Sequence, residues 1–326
     1  MAPLEKNMSG FTVSVFRIKI KGEEKIPLPD FPGSTLRGAF GMALKRTTCV
    51  TRQKDCETCM LNQKCVYATS FENIFSGDSP FLKGTDRAPH PVLIYPLELG
   101  KGITRKGGIY TIGLTVFGDK RDYLPYYIYA LTRLGKIGLG RKRGKFRVVS
   151  VKEQKYPRGS REIYDPERET LSFDGGGIPI EAVLRGKPRG SRIILRTLTP
   201  LRLKAEKRLV TSPTLFHILK SAAFRLRVLS SLYSETSVDL LTSTDFDALL
   251  ENVEVESPEF TWREISRYSK RQGTGMKLGG VMGSMTLSGK IGPIYPLLRV
   301  GELIHVGKNT GFGLGRYELK QRVTEK

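Results

Sequence analysis

The sequence predicts an α+β protein of two tandem ferredoxin-like (βαββαβ, RRM-like) domains, with a four-cysteine insertion after the first helix of the N-terminal domain. Three observations lead there. A glycine-rich segment occurs twice: Gly135-Lys136 followed by Gly138-Leu-Gly-Arg141, and Gly307-Lys308 followed by Gly313-Leu-Gly-Arg316. The apolar periodicity around each copy follows the order β-α-β-β-α-β. A length of 326 residues is enough for two domains that each bury a core.

The elements read in order as follows. Residues 11–20 alternate apolar and polar but change phase at Val15-Phe16, as a strand does when it is bulged or covered on both faces. After a proline-rich turn, Ser34 is the expected N-cap of a helix with Leu36, Phe40 and Leu44 along one side. Strands at 91–99 and 109–117, a helix at 121–134 carrying Leu124, Ile128, Leu131 and Leu134 on one face, and a strand at 146–151 complete the unit. In the second half a strand is expected within 192–204. Pro213 then opens a helix whose seam is Leu215, Leu219, Ala222, Leu226, Leu229 and Tyr233. Strands within 253–268 and at 281–288, a short helix at 297–305 and a strand at 317–322 follow. The domains are therefore 1–158, with the insertion at about 48–82, and 191–326, joined by a Gly/Pro-rich, charged linker at 159–190. In both, the glycine loop joins the second helix to the fourth strand.

Lysine and arginine number 54 against 32 acids, a formal charge of +22. Self-repulsion of that size works against compactness, which points to a polyanionic partner. The excess is concentrated: ten cations against Glu153 alone in 135–161, and nine against Glu206 alone in 185–208. Three alternating glycines (Gly311, Gly313, Gly315) between Lys308 and Arg316 let a backbone approach an anion that cations neutralise. The spacing fails as a nucleoside-triphosphate loop, because Asn309 stands where Ser or Thr would hold magnesium. One such loop is ordinarily a tight turn. Two with the same core in a basic chain point to RNA, with Gly138, Gly140, Arg141, Lys142, Arg143, Gly311, Gly313, Gly315 and Arg316 as the contact residues.

All four cysteines fall in one window, Cys49, Cys56, Cys59 and Cys65. A Cys-x2-Cys pair flanked by two more suits a structural zinc site, with free thiols the alternative and disulfides disfavoured in a reducing compartment. Of the three histidines, His90 reads as a turn residue, and His217 lies on a helix face with Lys220, Phe224 and Arg227 that is solvated or touches nucleic acid. His305 ends a helix, where the dipole is expected to raise its pKa or where it simply caps. No paired carboxylates suit two-metal nuclease chemistry. A cleavage reaction without metal would instead let a 2′-OH attack its own adjacent phosphate. The first ten residues do not read as a signal peptide, and no apolar run reaches the ~20 residues of a membrane span, so a cytoplasmic location is expected.

Taken together, His305-Val-Gly-Lys-x-x-Gly-Phe-Gly-Leu-Gly-Arg-Tyr317, Arg267-Tyr-Ser-x-Arg-Gln272, Leu278-Gly-Gly-Val-Met-Gly283 and Leu36-Arg-Gly-Ala-Phe-Gly41 resemble the CRISPR-associated RAMP endoribonucleases that process precursor crRNA. The resemblance spans most of the chain and is strongest over about the last seventy residues. It implies repeat RNA as substrate, no metal in catalysis, products with a 5′-hydroxyl and a 2′,3′-cyclic phosphate, and other CRISPR-associated subunits as partners. Family members often carry a catalytic histidine near the first helix, whereas here none precedes His90. His305 is then the candidate base or acid and Lys308 the cation at the phosphorane. Two alternatives stay open: a non-catalytic RAMP subunit that binds crRNA in an interference complex, and a general zinc-containing RNA-binding protein.

Overall fold

The computed structural model describes residues 10–73, 88–100, 102–174, 176–234, 243–269 and 274–321. The chain divides into two compact units, one of Thr12–Ile178 with Leu232–Ser234, the other of Met1–Phe11, Pro179–Ser231 and Glu235–Lys326. The boundary at Ile178/Pro179 falls inside the expected linker. No helix among the described residues is long and apolar enough to cross a membrane.

In the first unit β1 (Thr12–Gly22), α1 (Gly33–Thr48), β2 (Val92–Pro96), β3 (Ile109–Phe117), α2 (Leu124–Ile137) and β4 (Phe146–Gln154) follow one another, and β5 (Ser160–Glu162) is added at the edge. The antiparallel sheet runs β2-β3-β1-β4-β5. β1 is central and pairs on both sides, and its first half is buried on both faces. Its bulge lies at Lys19/Ile20, where pairing with β4 shifts register, and the phase change at Val15-Phe16 reflects the double burial alone. α1 and α2 pack their apolar faces on this sheet through Leu36, Phe40, Leu44, Leu124, Ile128, Leu131 and Leu134.

Two helix starts differ from expectation. Ser34 does not cap α1: the helix begins at Gly33, and the Pro32 carbonyl accepts the first amide, from Leu36, at 2.8 Å. α2 begins at Leu124 with Pro125 in its first turn, after a 3-10 turn at Gly118–Tyr123. Pro125 lacks an amide proton and has a fixed φ, so it starts a helix readily. The segment before it is held by Arg121, which is 4% exposed and pairs with Glu153 at 1%. Arg121 also donates to Ser14 Oγ and the Asp174 carbonyl, both at 2.7 Å, while Lys155 reaches the other Glu153 oxygen at 2.9 Å. This network ties β1, β4 and the residues after β5 together. The expected linker is consequently structured over much of its length, with Ile163, Tyr164, Ile178 and Ile180 buried.

The second unit contains β6 (Ile193–Thr197), α3 (Leu215–Tyr233) as far as Ser231, β7 (Val253–Arg263), a hairpin of β8 (Ser266–Ser269) and β9 (Thr274–Lys277), then β10 (Gly280–Gly289), α4 (Tyr295–Ile304) and β11 (Tyr317–Gln321). The four-stranded antiparallel sheet runs β7-β10-β6-β11. β6 stops at Thr197 because residues 198–202 turn to bind the glycine loop. The expected strand at 253–268 splits at Arg263, and its last residues enter the hairpin. In both sheets the strands preceding and following the helices stand in the same order: second, third, first, fourth.

Removing one member of a buried ion pair leaves the other charge uncompensated. Glu153→Ala is expected to lower the stability of the first unit by about 3 kcal/mol, as measured by urea unfolding; a change within the scatter of surface substitutions would contradict the network's role.

Candidate nucleic-acid interface

Both glycine loops do connect a second helix to a fourth strand, and both are stitched to their own unit. In the first, Leu139 and Gly144 exchange backbone hydrogen bonds at 2.9 and 3.1 Å, closing a tight reversal over 140–143. Gly138 has φ +95, and a Cβ there would stand 2.0 Å from the Arg143 carbonyl oxygen. In the second, the Val306 amide donates to Gly315 O, the Gly315 amide to Pro200 O, both at 2.9 Å, and the Lys308 amide to Arg202 O at 2.8 Å. The amides of Leu198 and Thr199 both reach Arg316 O, and the Arg316 amide reaches Thr199 Oγ1. Gly315 has φ +75, and a Cβ there would meet Val306 O at 1.8 Å.

The expected RNA contacts therefore separate into two kinds. Gly138, Gly313 and Gly315 are buried against their own chain, and Gly140 and Gly311 are half-buried, so the need for tight backbone packing accounts for the glycines. Arg141, Lys142 and Arg143 project from the tip of the first loop and Lys308 from the second, all exposed, while Arg316 is half-buried.

His305 departs from expectation. It caps α4 with φ 59 and ψ 155, a strained backbone for any residue but glycine, and is 1% exposed. Burial, with the Arg316 and Arg225 guanidiniums nearby, pushes its pKa well below the ordinary histidine value, against the small opposing effect of a hydrogen bond to the Leu314 backbone. The predicted upward shift from the helix dipole is overturned because desolvation and two positive neighbours disfavour the imidazolium. Arg225 Nε donates to the Ile304 carbonyl at 2.9 Å and so occupies the helix end that was to act on the histidine. A ring this covered does not present a nitrogen at the surface, and the proton-transfer role does not follow from its position. His217 belongs to the start of α3, where Nδ1 meets the Thr214 hydroxyl at 2.7 Å and the Thr214 amide at 3.2 Å. His90 is half-buried, 6.5 Å from the Phe71 ring.

Cys49, Cys56, Cys59 and Cys65 line one pocket, all as free thiols. Thr51 Oγ1 lies 3.9 Å from Cys49 Sγ and 3.5 Å from Cys59 Sγ, and Lys45 Nζ is 3.5 Å from Cys56 Sγ. Burial pushes the Cys56 thiol up despite Lys45, while hydrogen bonds from Thr51 and the Leu61 backbone hold Cys59 down. Among the described residues no three potential ligands stand close enough to share a metal ion. Residues 74–82 of the expected insertion lie outside the described residues, as do Arg271 and Gln272 of the motif at 267–272.

Sequence reasoning missed three aromatic residues around the second loop. Arg267 lies 4.3 Å from the centre of the Phe312 ring, and Arg202 lies 5.9 Å from that of Trp262. Tyr317, listed there only as the end of a motif, is buried and donates to the Leu298 carbonyl at 2.6 Å.

Comparison with known proteins places this geometry. A family model described as an N-terminal domain matches residues 11–174, and that of the CRISPR-associated endoribonuclease Cas6 matches 195–317, the segment holding β6 to the second loop. A protein of Archaeoglobus fulgidus described as uncharacterized is 30% identical over 304 residues, covering 90% of this chain and 93% of its own. The stretch that carries the second glycine loop, residues 195–317, belongs to the family of the CRISPR-associated endoribonuclease Cas6. Solved Cas6 structures share its fold at low identity. A Cas6 product complex matches with TM-score 0.54 and 18% identity over 95% of this chain and 99% of the other, and Thermus thermophilus Cas6 with 0.53 and 16% over 96% and 100%. A chain of a partial Cas6-RT-Cas1–Cas2 complex matches with 0.57 and 13% identity; all of this chain is covered but it spans only 48% of that one.

Because the folded state holds His305 neutral, unfolding lets the ring bind a proton below its ordinary value of 6.5. The stability it contributes is complete above that value and is lost as the pH falls below it. Urea unfolding at pH 7.5 and 5.5 should show the wild type losing about 1.4 kcal/mol more than His305→Asn; equal losses would contradict the buried neutral ring.

Proposed function

We propose that the chain is an endoribonuclease that cuts CRISPR repeat RNA in precursor crRNA. The observation that carries this reading is the second glycine loop, which lies within the Cas6-matched segment and presents exposed Lys308, its amide bonded to the Arg202 carbonyl. The repeated strand order supports reading both units as ferredoxin-like domains in tandem. The reaction is a metal-independent transesterification: the 2′-OH loses its proton and attacks the adjacent phosphate, and the 5′-oxygen leaves with a proton. That leaves a 2′,3′-cyclic phosphate and a 5′-hydroxyl. Lys308 is the cation that stabilises the phosphorane in this reading, while Arg141, Lys142, Arg143 and Arg316 contact phosphates. His305 then serves the loop that carries Lys308 and does not exchange protons with RNA. Repeat RNA and other CRISPR-associated proteins are the partners, in keeping with the product complex and the Cas6-RT-Cas1–Cas2 complex that share the fold.

The burial of His305 and the engagement of His217 with Thr214 favour a second reading, a RAMP subunit that binds crRNA without cutting it. One assay separates the two. Incubated with a CRISPR repeat RNA in EDTA, the protein is expected to make a single cut whose products carry the two termini above. Binding without cleavage would establish the second reading, and cleavage that needs a divalent ion would overturn the mechanism.

For the four-cysteine pocket we propose structural zinc, supported by the soft donor set and by the convergence of all four residues on one pocket. Side-chain rotations would have to bring the sulfurs to bonding distance and release the Thr51 contacts with Cys49 and Cys59. Metal analysis of protein purified under reducing conditions should find about one zinc per chain, reduced in Cys56→Ser; a metal-free wild type would end the proposal.

A further inference from the structure

We propose that Trp262 is a stacking platform for an unpaired RNA base beside the second glycine loop. This rests on reading the chain as an RNA-binding member of its family, and adds a contact that neither the loop nor the cations supply.

Trp262 is the chain's single tryptophan and is 36% exposed. It sits on β7, the edge strand of the second unit's sheet. A large aromatic side chain left in contact with water on an edge strand does little for the core and is available to a ligand. Its orientation is nevertheless fixed. The indole Nε1–H donates to Glu264 Oε2 at 3.3 Å, and Glu264 Oε1 accepts the amides of Gly279 at 3.0 Å and Ile265 at 3.2 Å. The carboxylate is thus anchored by the backbone, and it pins the polar edge of the ring. Gly279 allows the close approach, since a Cβ there would stand 2.9 Å from Trp262 Nε1. A ring held by its edge loses little further freedom when a base stacks on its face.

The surroundings select the partner. The Arg202 guanidinium lies 5.9 Å from the ring centre, and the Arg202 carbonyl accepts the Lys308 amide at 2.8 Å, so one residue links the indole to the loop. On the loop itself Phe312 carries Arg267 at 4.3 Å from its ring. Protein-docking surfaces are depleted of charge at their centres, whereas this indole has the Arg202 guanidinium beside it. Aromatic faces alternating with cations match a single-stranded nucleic acid, whose bases stack while its phosphates pair.

The test uses the full chain and end-labelled single-stranded repeat RNA, reading RNA anisotropy and the emission of the one tryptophan in the same titration. Emission should be quenched with the midpoint of the anisotropy change. Trp262→Ala should weaken binding about tenfold and leave its salt dependence unaltered, because stacking releases no counterions. Trp262→Phe should recover most of the affinity, and Lys308→Ala should lower the salt slope by about one. RNA binding with unchanged emission and an unimpaired Trp262→Ala would overturn the platform while leaving the RNA-binding function in place. A reduced salt slope in Trp262→Ala would also overturn it, making the residue a prop for the loop. No binding of repeat RNA by the wild type would remove the functional reading and the platform together.

Discussion

The constraint on which each unit depends is that the chain leaving its second helix must reach the fourth strand across backbone that is already in place. In the second unit that backbone is residues 198–202, just after β6, and the loop meets it with four amide-to-carbonyl bonds, donated by Leu198, Thr199, Gly315 and Lys308, while the Val306 amide closes the loop on Gly315. There is no volume for a Cβ at Gly315, nor at Gly138 in the first unit, where the Arg143 carbonyl occupies the place. Once the backbone is folded in this way, the remaining side chains can only project outward from the tips. Those side chains are Arg141, Lys142 and Arg143 in one loop and Lys308 in the other.

Packing also sorts the positive charge. Arg121 neutralises Glu153 inside the first unit, Arg37 lies 4.4 Å from the Phe71 ring at 7% exposure, and Arg225 occupies the carboxyl end of α4 at 8%. These cations hold elements together and are withdrawn from any ligand. The charge available to a ligand is therefore smaller than the formal +22, and its position matters more than its sum. A buried guanidinium is tolerated because its planar fork reaches several acceptors at once, as Arg121 reaches Glu153, Ser14 and Asp174.

Much of the architecture was legible because long apolar patterns report burial directly. The leucine seam of α3 and the bounds of β3 lie where the apolar pattern puts them. Boundaries were less legible where a long-range partner sets them. β6 ends at Thr197 because the glycine loop, more than a hundred residues later, takes its next carbonyl and amide groups. α2 starts late because Arg121 is recruited by Glu153 on another strand. Ser34 had the chemistry of a cap, but the turn before it already supplied the Pro32 carbonyl.

By itself the sequence determined the mixed α/β class of the fold, the order of most strands and helices and the excess of positive charge, because these follow from periodicity, glycine spacing and composition, which are local or additive. Only the tertiary structure decided which of the singled-out residues face outward. His305 and Lys308 are three residues apart, yet one is sealed beside Arg225 and Arg316 and the other is exposed. Trp262 passed unnoticed in the sequence although it stands next to the same loop through Arg202. Burial and proximity are sums over distant chain segments, and no window of sequence contains them.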